Sequence, residues 1–204
     1  MAPAIIYKHI FLYQLFMRIL YGSHFEDRYK AVAAQIPAGS SVMDVCAGDA
    51  YLFTKYLKCK GNEYLAIDNS PFFIRSAQKM NIVCRQLNVL NDPLPKADVV
   101  VMMASLYQFI PQERTIIQKL LGSTRKKVII TEPISNLSSS HNLLIRWLAH
   151  HLSIPFQASR QYEGKRFDRS AMEELFRSFK ELQEIKLIPG ERELMGIFHK
   201  PNPN

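Results

Sequence analysis

The segment that most constrains this fold covers residues 98–103 and has the sequence Asp-Val-Val-Val-Met-Met. Its five apolar residues follow one another without a polar interruption, and three of them are β-branched. A run of this kind predicts a strand buried on both faces, as the central strands of parallel sheets are. Parallel strands cannot be joined by tight turns, so helices are expected between the strands of this chain.

Strand and helix patterns do alternate around this segment. The predicted strands occupy 40–45, 63–67, 82–87, 98–103 and 127–131, and the predicted helices occupy 50–57, 70–80 and 112–121. After a further helix over 170–179, strands over 182–188 and 194–199 flank Pro189-Gly190, which suits an antiparallel pair. This order predicts a Rossmann-like, doubly wound α/β fold: a mostly parallel seven-stranded sheet with an antiparallel terminal strand.

The length of 204 residues and the hydrophobic content of 48% fit a single domain with a small addition. We divide it into an N-terminal helical segment (1–38), a Rossmann-like core (39–134 and 169–200) and a helical cap insertion (135–168), with a helix around 142–151. The three cysteines lack the spacing of metal ligands, so no metal site and no disulfide framework is predicted. A cytoplasmic protein is expected.

Residues 4–21 form an apolar and aromatic stretch that four polar residues interrupt: Lys8, His9, Gln14 and Arg18. The stretch is therefore a poor membrane span, which needs about 20 mostly uncharged residues. It also lacks the small-residue cleavage site of a signal peptide. We expect a helix packed over the core or the active site, with an in-plane membrane helix or a partner-binding helix as the alternative.

The turn after the first strand has the composition of a ligand site. Ligands of doubly wound sheets bind at the carboxyl ends of the strands, where small residues let them approach the backbone. Here residues 44–50 have the sequence Asp-Val-Cys-Ala-Gly-Asp-Ala, and Asp68 ends the second strand 20 residues after Gly48. A carboxylate at that place can accept hydrogen bonds from both ribose hydroxyls of an adenosine.

This arrangement resembles the class I S-adenosylmethionine-dependent methyltransferases, whose first motif is Asp/Glu-x-Gly-x-Gly-x-Gly. Cys46, Gly48 and Ala50 stand at the three glycine positions, and the resemblance covers roughly 40–132 and 180–199. It implies S-adenosylmethionine as cofactor and a methyltransferase activity of the EC 2.1.1 class. The residues that it assigns to the cofactor are Asp44, Cys46, Ala47, Gly48, Asp49, Asp68, Asn69, Asn88, Val89, Met103 and Ala104.

In the family, the residue at Asp44 contacts or orients the amino end of the cofactor, the acid at Asp68 binds the ribose, and a polar side chain in 87–89 meets the adenine amine. Ala50 is expected to be a mild departure, because it adds only a methyl where helix meets strand. Cys46 is more serious if its position needs a positive φ, which costs a non-glycine residue about 1 kcal/mol or more. Cofactor binding would then be weakened or lost.

Three other functions compete for the same residues. A dinucleotide-binding Rossmann protein would need a Gly-x-Gly-x-x-Gly turn for its pyrophosphate, which Asp49 would repel, whereas Asp49 tolerates the cationic groups of S-adenosylmethionine. RNA cytosine methyltransferases share Asp-x-Cys-Ala, but their Ala-Pro-Gly continuation and later nucleophilic cysteine are missing here. The third alternative is a methyltransferase-like scaffold or interaction protein that binds the cofactor poorly.

The acceptor is suggested only by charge. The net charge of +8 favours acidic partners, and the 135–168 insertion is basic and aromatic. With the apolar segment 4–21, this predicts a small-molecule or lipid-like acceptor, anionic acceptors included, and disfavours nucleic acid. The candidate catalytic residues are Tyr107, His141, His150 and His151. No motif marks the acceptor atom or an oligomeric state.

Overall fold

The computed structural model describes Gln14, Arg18, residues 22–134 and residues 166–200. Within them, one seven-stranded sheet has the order β3-β2-β1-β4-β5-β7-β6. Strand β7 is antiparallel to both of its neighbours, and the other pairs are parallel. The predicted sheet is therefore confirmed. Its strands are β1 Ser41–Val45, β2 Glu63–Asp68, β3 Cys84–Gln86, β4 Ala97–Met103, β5 Thr124–Pro133, β6 Leu182–Leu187 and β7 Glu193–His199.

Helices cover both faces of this sheet. The α-helices are α1 Phe25–Ala34, α2 Pro71–Lys79, α3 Glu113–Ser123 and α4 Arg169–Arg177. Short 3₁₀ turns occur at Gly22–His24, Lys58–Lys60 and Leu106–Phe109. The predicted helix near 142–151 lies outside the described residues, as do most of the 4–21 segment and of the 135–168 insertion. Helix α1 lies within the predicted N-terminal helical segment (1–38), but the sequence did not predict its bounds, because its buried face includes the cation Arg28 and so lacks a clean apolar stripe.

Two predicted elements differ in extent from the observed ones. The helix predicted over 50–57 is a helical stretch from 51 to 60 that passes through a π-helical segment, Phe53–Leu57, and ends at Gly61 with φ 67°. Strand β5 was predicted to end at 131 but continues to Pro133, because β7 pairs with it as far as Glu193. The partner strand, rather than the local sequence, sets the length of β5.

Strand β4 is the centre of the core, as its sequence predicted. Val99 and Val101 pack on one face of the sheet with the cluster that contains Leu52 and Ile129. Val100 and Met102 pack on the other face with the cluster that contains Phe176. Successive side chains of a strand point to opposite faces, so a continuous apolar run fits only a strand that is covered on both sides.

Strand β7 and helix α4 approach closely at a glycine. A Cβ on Gly196 would lie 2.7 Å from ring carbons of Phe176, a side chain that is fully buried. Phe176 also packs edge-on against Phe198 with ring centroids 5.3 Å apart, so the ring is held from the side. Gly196 therefore sets how closely α4 can pack on the antiparallel strand.

Replacing Gly196 with alanine should lower the free energy of unfolding by about 1–3 kcal/mol, because the added methyl meets a ring that cannot move away. Gly122→Ala is the matched control: Gly122 lies in α3, and a Cβ added to it would meet no atom within 4 Å. There alanine should raise the free energy of unfolding by up to about 1 kcal/mol. Urea unfolding checks both variants, and equal changes would contradict the packing argument.

Candidate functional site

The switch point of the sheet lies between β1 and β4. From β1 the chain moves outward to β2 and β3, and it then returns to β4 and continues to β5. Loops that follow β1 and β4 therefore diverge, and ligands of doubly wound folds bind in the resulting crevice. The predicted turn 44–50 leaves β1 at this point, and residues 104–107 leave β4 beside it.

All three glycine positions of the turn have left-handed backbone. The φ angles of Cys46, Gly48 and Ala50 are 61°, 56° and 53°. Cys46 therefore occupies a position with positive φ, which is the case in which a non-glycine residue is unfavourable. The expectation that Ala50 is only a mild departure from glycine is wrong, because Ala50 has positive φ as well. Each of the two side chains costs about 1–2 kcal/mol in this conformation. Two backbone bonds hold the turn, from Ala47 N to Ile67 O and from Ala50 N to Ala47 O, both 3.0 Å.

The Asp68 carboxylate lies directly on this turn. Its Oδ2 accepts a hydrogen bond from the backbone N–H of Gly48 at 2.9 Å, and its Oδ1 accepts one from Ser70 at 2.8 Å. Burial raises the pKa of Asp68, and the two N–H groups oppose that rise. Each carboxylate oxygen can accept more than one hydrogen bond, so both retain capacity for hydroxyl donors of a ligand.

Asp44 belongs to β1, and its side chain is buried next to the start of the turn. The side chain is 4% exposed, and Tyr64 O–H donates to its Oδ2 at 2.6 Å. The Tyr64 ring stacks on Phe53 with centroids 4.5 Å apart. Burial raises the pKa of Asp44 to about 7 against the effect of the Tyr64 bond, and the charges of Asp68 and Asp49 add to the rise. Asp44 is therefore placed to fix the orientation of the turn indirectly, through its buried hydrogen bond to Tyr64.

Asp49 connects the turn to the N-terminal segment. Its carboxylate accepts hydrogen bonds from Gln14 Nε2 at 3.0 Å and from the backbone N–H of Tyr51 at 3.3 Å. Arg18 donates to the Tyr51 hydroxyl at 3.3 Å. Burial raises the pKa of Asp49, and the Gln14 bond is the strongest opposing effect. Both described residues of the 4–21 segment thus contact the 49–51 region, which supports a helix packed over the site.

The other predicted cofactor residues lie along the same edge in different settings. Asn69 is exposed, whereas Val89 is buried in the core cluster. The Asn88 side chain accepts a hydrogen bond from Leu90 N at 3.0 Å, so it shapes its own loop. Met103 and Ala104 are half-buried at the end of β4, where Ala104 has φ 49° and donates its N–H to Thr131 O at 2.7 Å.

Sequence analysis missed the buried acid Glu132. It is fully buried near the end of β5, and its Oε2 accepts the backbone N–H of Leu106 at 2.9 Å. Burial raises the pKa of Glu132 to about 8, while the Leu106 N–H and the Arg166 charge oppose the rise. The signal was present: like Asp44 and Asp68, Glu132 follows the apolar part of a strand. It was passed over because β5 was predicted to end one residue earlier.

A buried ion pair at the same end of the sheet was also missed. Arg28 Nε of α1 lies 3.3 Å from Glu193 Oε1 of β7, and both side chains are 3% exposed. The charge of Arg28 is also one of the smaller effects that oppose the rise in the pKa of Asp49. Arg28 therefore connects α1 to the start of β7, and removing either partner of such a pair leaves an uncompensated buried charge.

Of the predicted catalytic residues, the structure describes Tyr107. It follows β4 and is half-buried, and the Arg166 guanidinium lies 3.2 Å from its ring centroid. His141, His150 and His151 lie outside the described residues. Within the described ranges, no group of three or more His, Cys, Asp or Glu side chains is arranged to hold a metal ion. None of the helices described here has the length and apolar character that crossing a membrane requires.

No protein-family model and no curated protein sequence matches this chain. Several solved structures do match this chain in fold. A putative methyltransferase of Haloferax volcanii, in complex with the Trm112 activator, superposes with a TM-score of 0.67 at 14% identity over 91% of this chain and 94% of its own. Magnesium protoporphyrin IX methyltransferase from Synechocystis PCC 6803, with bound SAH, gives 0.62 at 13% identity over 91% and 93%.

The fold itself is shared more widely than one activity. A Rhodobacter sphaeroides protein described as a putative Zn-dependent alcohol dehydrogenase gives a TM-score of 0.63 at 16% identity, over 90% of this chain and 96% of its own. Likeness at such identities concerns the fold, and function must be argued from the site. Strand order, the antiparallel β7 and these superpositions together show that this chain has the fold of the class I S-adenosylmethionine-dependent methyltransferases.

Proposed function

We propose that this protein binds S-adenosylmethionine at the carboxyl ends of β1 and β2 and transfers its methyl group to a small-molecule acceptor. The observation that carries the proposal is the position of Asp68, whose carboxylate is fixed on the left-handed turn by the N–H of Gly48. A carboxylate held at the end of β2, beside a turn that ligands can approach, suits the two hydroxyls of a ribose. SAM- and SAH-bound neighbours of the same fold support this cofactor.

The charges at this edge favour a cationic cofactor over a dinucleotide. Burial raises the pKa of Asp44, Asp49 and Asp68, which means that the loss of solvation outweighs the hydrogen bonds that their charged forms accept. A sulfonium and an ammonium group would supply positive charge there, whereas a pyrophosphate would add negative charge. The electrostatics therefore support methyl transfer rather than hydride transfer.

The residues of the chain have simple tasks in this reaction. S-adenosylmethionine supplies an electrophilic methyl group, so the protein needs chiefly to bind and orient the two reactants. Asp68 would hold the ribose, the turn at Gly48 would admit the cofactor to the backbone, and residues 87–89 would line the adenine. Asp44 would act indirectly, by holding the turn together with Tyr64.

The acceptor proposed from the sequence was a small-molecule or lipid-like compound, anionic ones included. The described part of the crevice is rich in acids, which supports a neutral or cationic small molecule on that side; the basic part of 135–165 lies outside the described residues. A protein partner is a further proposal, supported by the activator that accompanies the similar Haloferax volcanii methyltransferase.

A second candidate function is a scaffold that binds the cofactor poorly. The observation that favours it is the strain in the turn, where Cys46 and Ala50 occupy left-handed positions at φ 61° and 53°. Side chains at these positions also narrow the approach of a ligand to the backbone. The methyltransferase should bind the cofactor with measurable affinity, whereas the scaffold should bind it weakly or not at all.

Titration calorimetry of S-adenosylhomocysteine should show micromolar binding to the wild type and at least a tenfold loss in Asp68→Asn, because a charged acceptor of the ribose hydroxyls is lost. Asp98→Asn is the matched control, since Asp98 lies at the amino end of β4 and accepts Ser41 N at 3.4 Å. Its affinity should stay within twofold of the wild type. Absence of binding to the wild type would favour the scaffold.

The strain in the turn can be measured by comparing Cys46→Gly with Cys46→Ala. Both variants remove the thiol, but only glycine removes the Cβ that disfavours φ 61°. We expect the glycine variant to be more stable than the alanine variant by about 1 kcal/mol in urea unfolding, and to bind S-adenosylhomocysteine at least as tightly. An alanine variant that is the more stable of the two would show that the position is not strained.

Asp44 should make the protein less stable as pH rises. Its pKa in the folded state is about 7, above the ordinary value, so the folded protein holds this proton where the unfolded chain has lost it. Its stabilising contribution is complete below about pH 4 and is lost up to pH 7, at up to roughly 1.4 kcal/mol per pH unit. In urea unfolding from pH 5 to 8, Asp44→Asn should lose stability less steeply than the wild type. Parallel curves would contradict this assignment.

A further inference from the structure

Glu132 lies at the junction of three loops. Near the carboxyl end of β5, its side chain reaches the loop after β4, where the backbone N–H of Leu106 donates to Oε2 at 2.9 Å and that of Tyr107 faces the same carboxylate. The turn after β1 lies beside this loop, because β1 and β4 pair as far as Val45 and Met102; the charge of Glu132 is among the effects that raise the pKa of the buried Cys46 thiol in that turn. Glu132 therefore borders the crevice between β1 and β4.

One oxygen of this carboxylate accepts no hydrogen bond of good geometry from the described residues. Glu132 is fully buried, and among the residues that the structure describes none gives a hydrogen bond of good geometry to Oε1. Oε2 accepts the Leu106 N–H, which ties the carboxylate to the loop after β4. A buried carboxylate oxygen without a donor is costly, and such groups in folded proteins call for a ligand, water or catalytic role.

The two ends of the crevice are occupied by acids with different surroundings. Asp68 at the β2 end has both oxygens bonded to backbone N–H groups, whereas Oε1 of Glu132 at the β5 end has no hydrogen-bond partner among the described residues. If Asp68 takes the ribose of the cofactor, the reacting end of the cofactor is directed from β2 toward β4 and β5. Glu132, which lies near the carboxyl end of β5, is then on the side of the crevice where a methyl acceptor would bind.

We propose that Glu132 is an acceptor-binding residue, whose Oε1 accepts a hydrogen bond from a hydroxyl or amine group of the methyl acceptor and takes up the proton that this group loses. This inference rests on the proposed function. The acceptor's oxygen or nitrogen lone pair forms the bond to the methyl carbon, the electrons of the carbon–sulfur bond remain on sulfur, and the acceptor's hydrogen moves as a proton to Glu132.

The charges that face Glu132 fit this role. Burial is the largest effect and raises its pKa to about 8; Arg166, held on the ring of Tyr107, lowers the pKa, and the carboxylate of Glu193 raises it. A proton acceptor works best when its pKa lies near the working pH. An ionised carboxylate can only accept hydrogen bonds, so the structure assigns this end of the site to a hydrogen-bond donor of the acceptor molecule.

Binding of two cofactor analogues tests the inference without knowledge of the acceptor. S-adenosylhomocysteine lacks the methyl group, whereas sinefungin carries an amine in the place of the methyl-bearing sulfonium and so presents a donor to the acceptor region. Glu132→Gln keeps an oxygen for the Leu106 N–H but removes the charge. We expect this variant to bind sinefungin at least tenfold more weakly and S-adenosylhomocysteine within twofold of the wild type.

Glu63→Gln is the matched control, since Glu63 is exposed at the opposite end of β2, and it should bind both analogues as the wild type does. A second measurement needs no variant: in the wild type, the preference for sinefungin over S-adenosylhomocysteine should increase at least fivefold from pH 6.5 to 8.5, as Glu132 ionises. Equal effects of Glu132→Gln on both analogues, or a preference that does not vary with pH, would overturn the inference while the cofactor site stands. Failure of the wild type to bind S-adenosylhomocysteine would instead overturn the proposed function.

Discussion

The hydrogen bond from Gly48 N–H to the Asp68 carboxylate joins the turn after β1 to the end of β2, and the rest of the site is built around it. The turn can present its backbone only because three of its residues are left-handed, and Asp68 fixes the middle one. The Asp44–Tyr64 bond holds the strand that leads into the turn. Gln14 of the N-terminal segment bonds to Asp49 in the turn, so side chains from three parts of the chain hold this short irregular segment.

This arrangement places several acidic side chains together at the carboxyl ends of the parallel strands, where burial removes them from water. Asp44, Asp49, Asp68 and Glu132 are acids whose pKa burial raises, and the described cation nearest to full burial, Arg28, is paired with Glu193. A protein under selection for stability alone would have little reason to keep so many acids at one edge, because each charged form is poorly solvated. The cost is understandable if a cationic ligand occupies the crevice and supplies the missing positive charge.

The sequence allowed the sheet to be predicted because its information there is local. Apolar runs such as Val99–Val100–Val101 determine strands, and the positions of Gly48 and Asp68 determine the ligand edge. Features that depend on distant partners were missed. Glu132 was missed because it follows Thr131 in the part of β5 that the pairing with β7 extends, and the bounds of α1 were missed because Arg28 finds its partner on a strand more than a hundred residues away. Charge pairs of this kind leave no periodic pattern in the sequence.

The left-handed Cys46 and Ala50 bear on the choice between enzyme and scaffold. Strained residues persist only where the surrounding structure determines them, and the tendency of strain to gather at functional sites makes the observation compatible with activity. Decay of a site predicts something different, since a chain released from ligand binding could relax the turn or lose the acids around it. Here the turn keeps its left-handed shape despite two unfavourable side chains, and Asp68 keeps its bond to Gly48. The left-handed turn together with the buried acids therefore favours the proposed cofactor site over the scaffold.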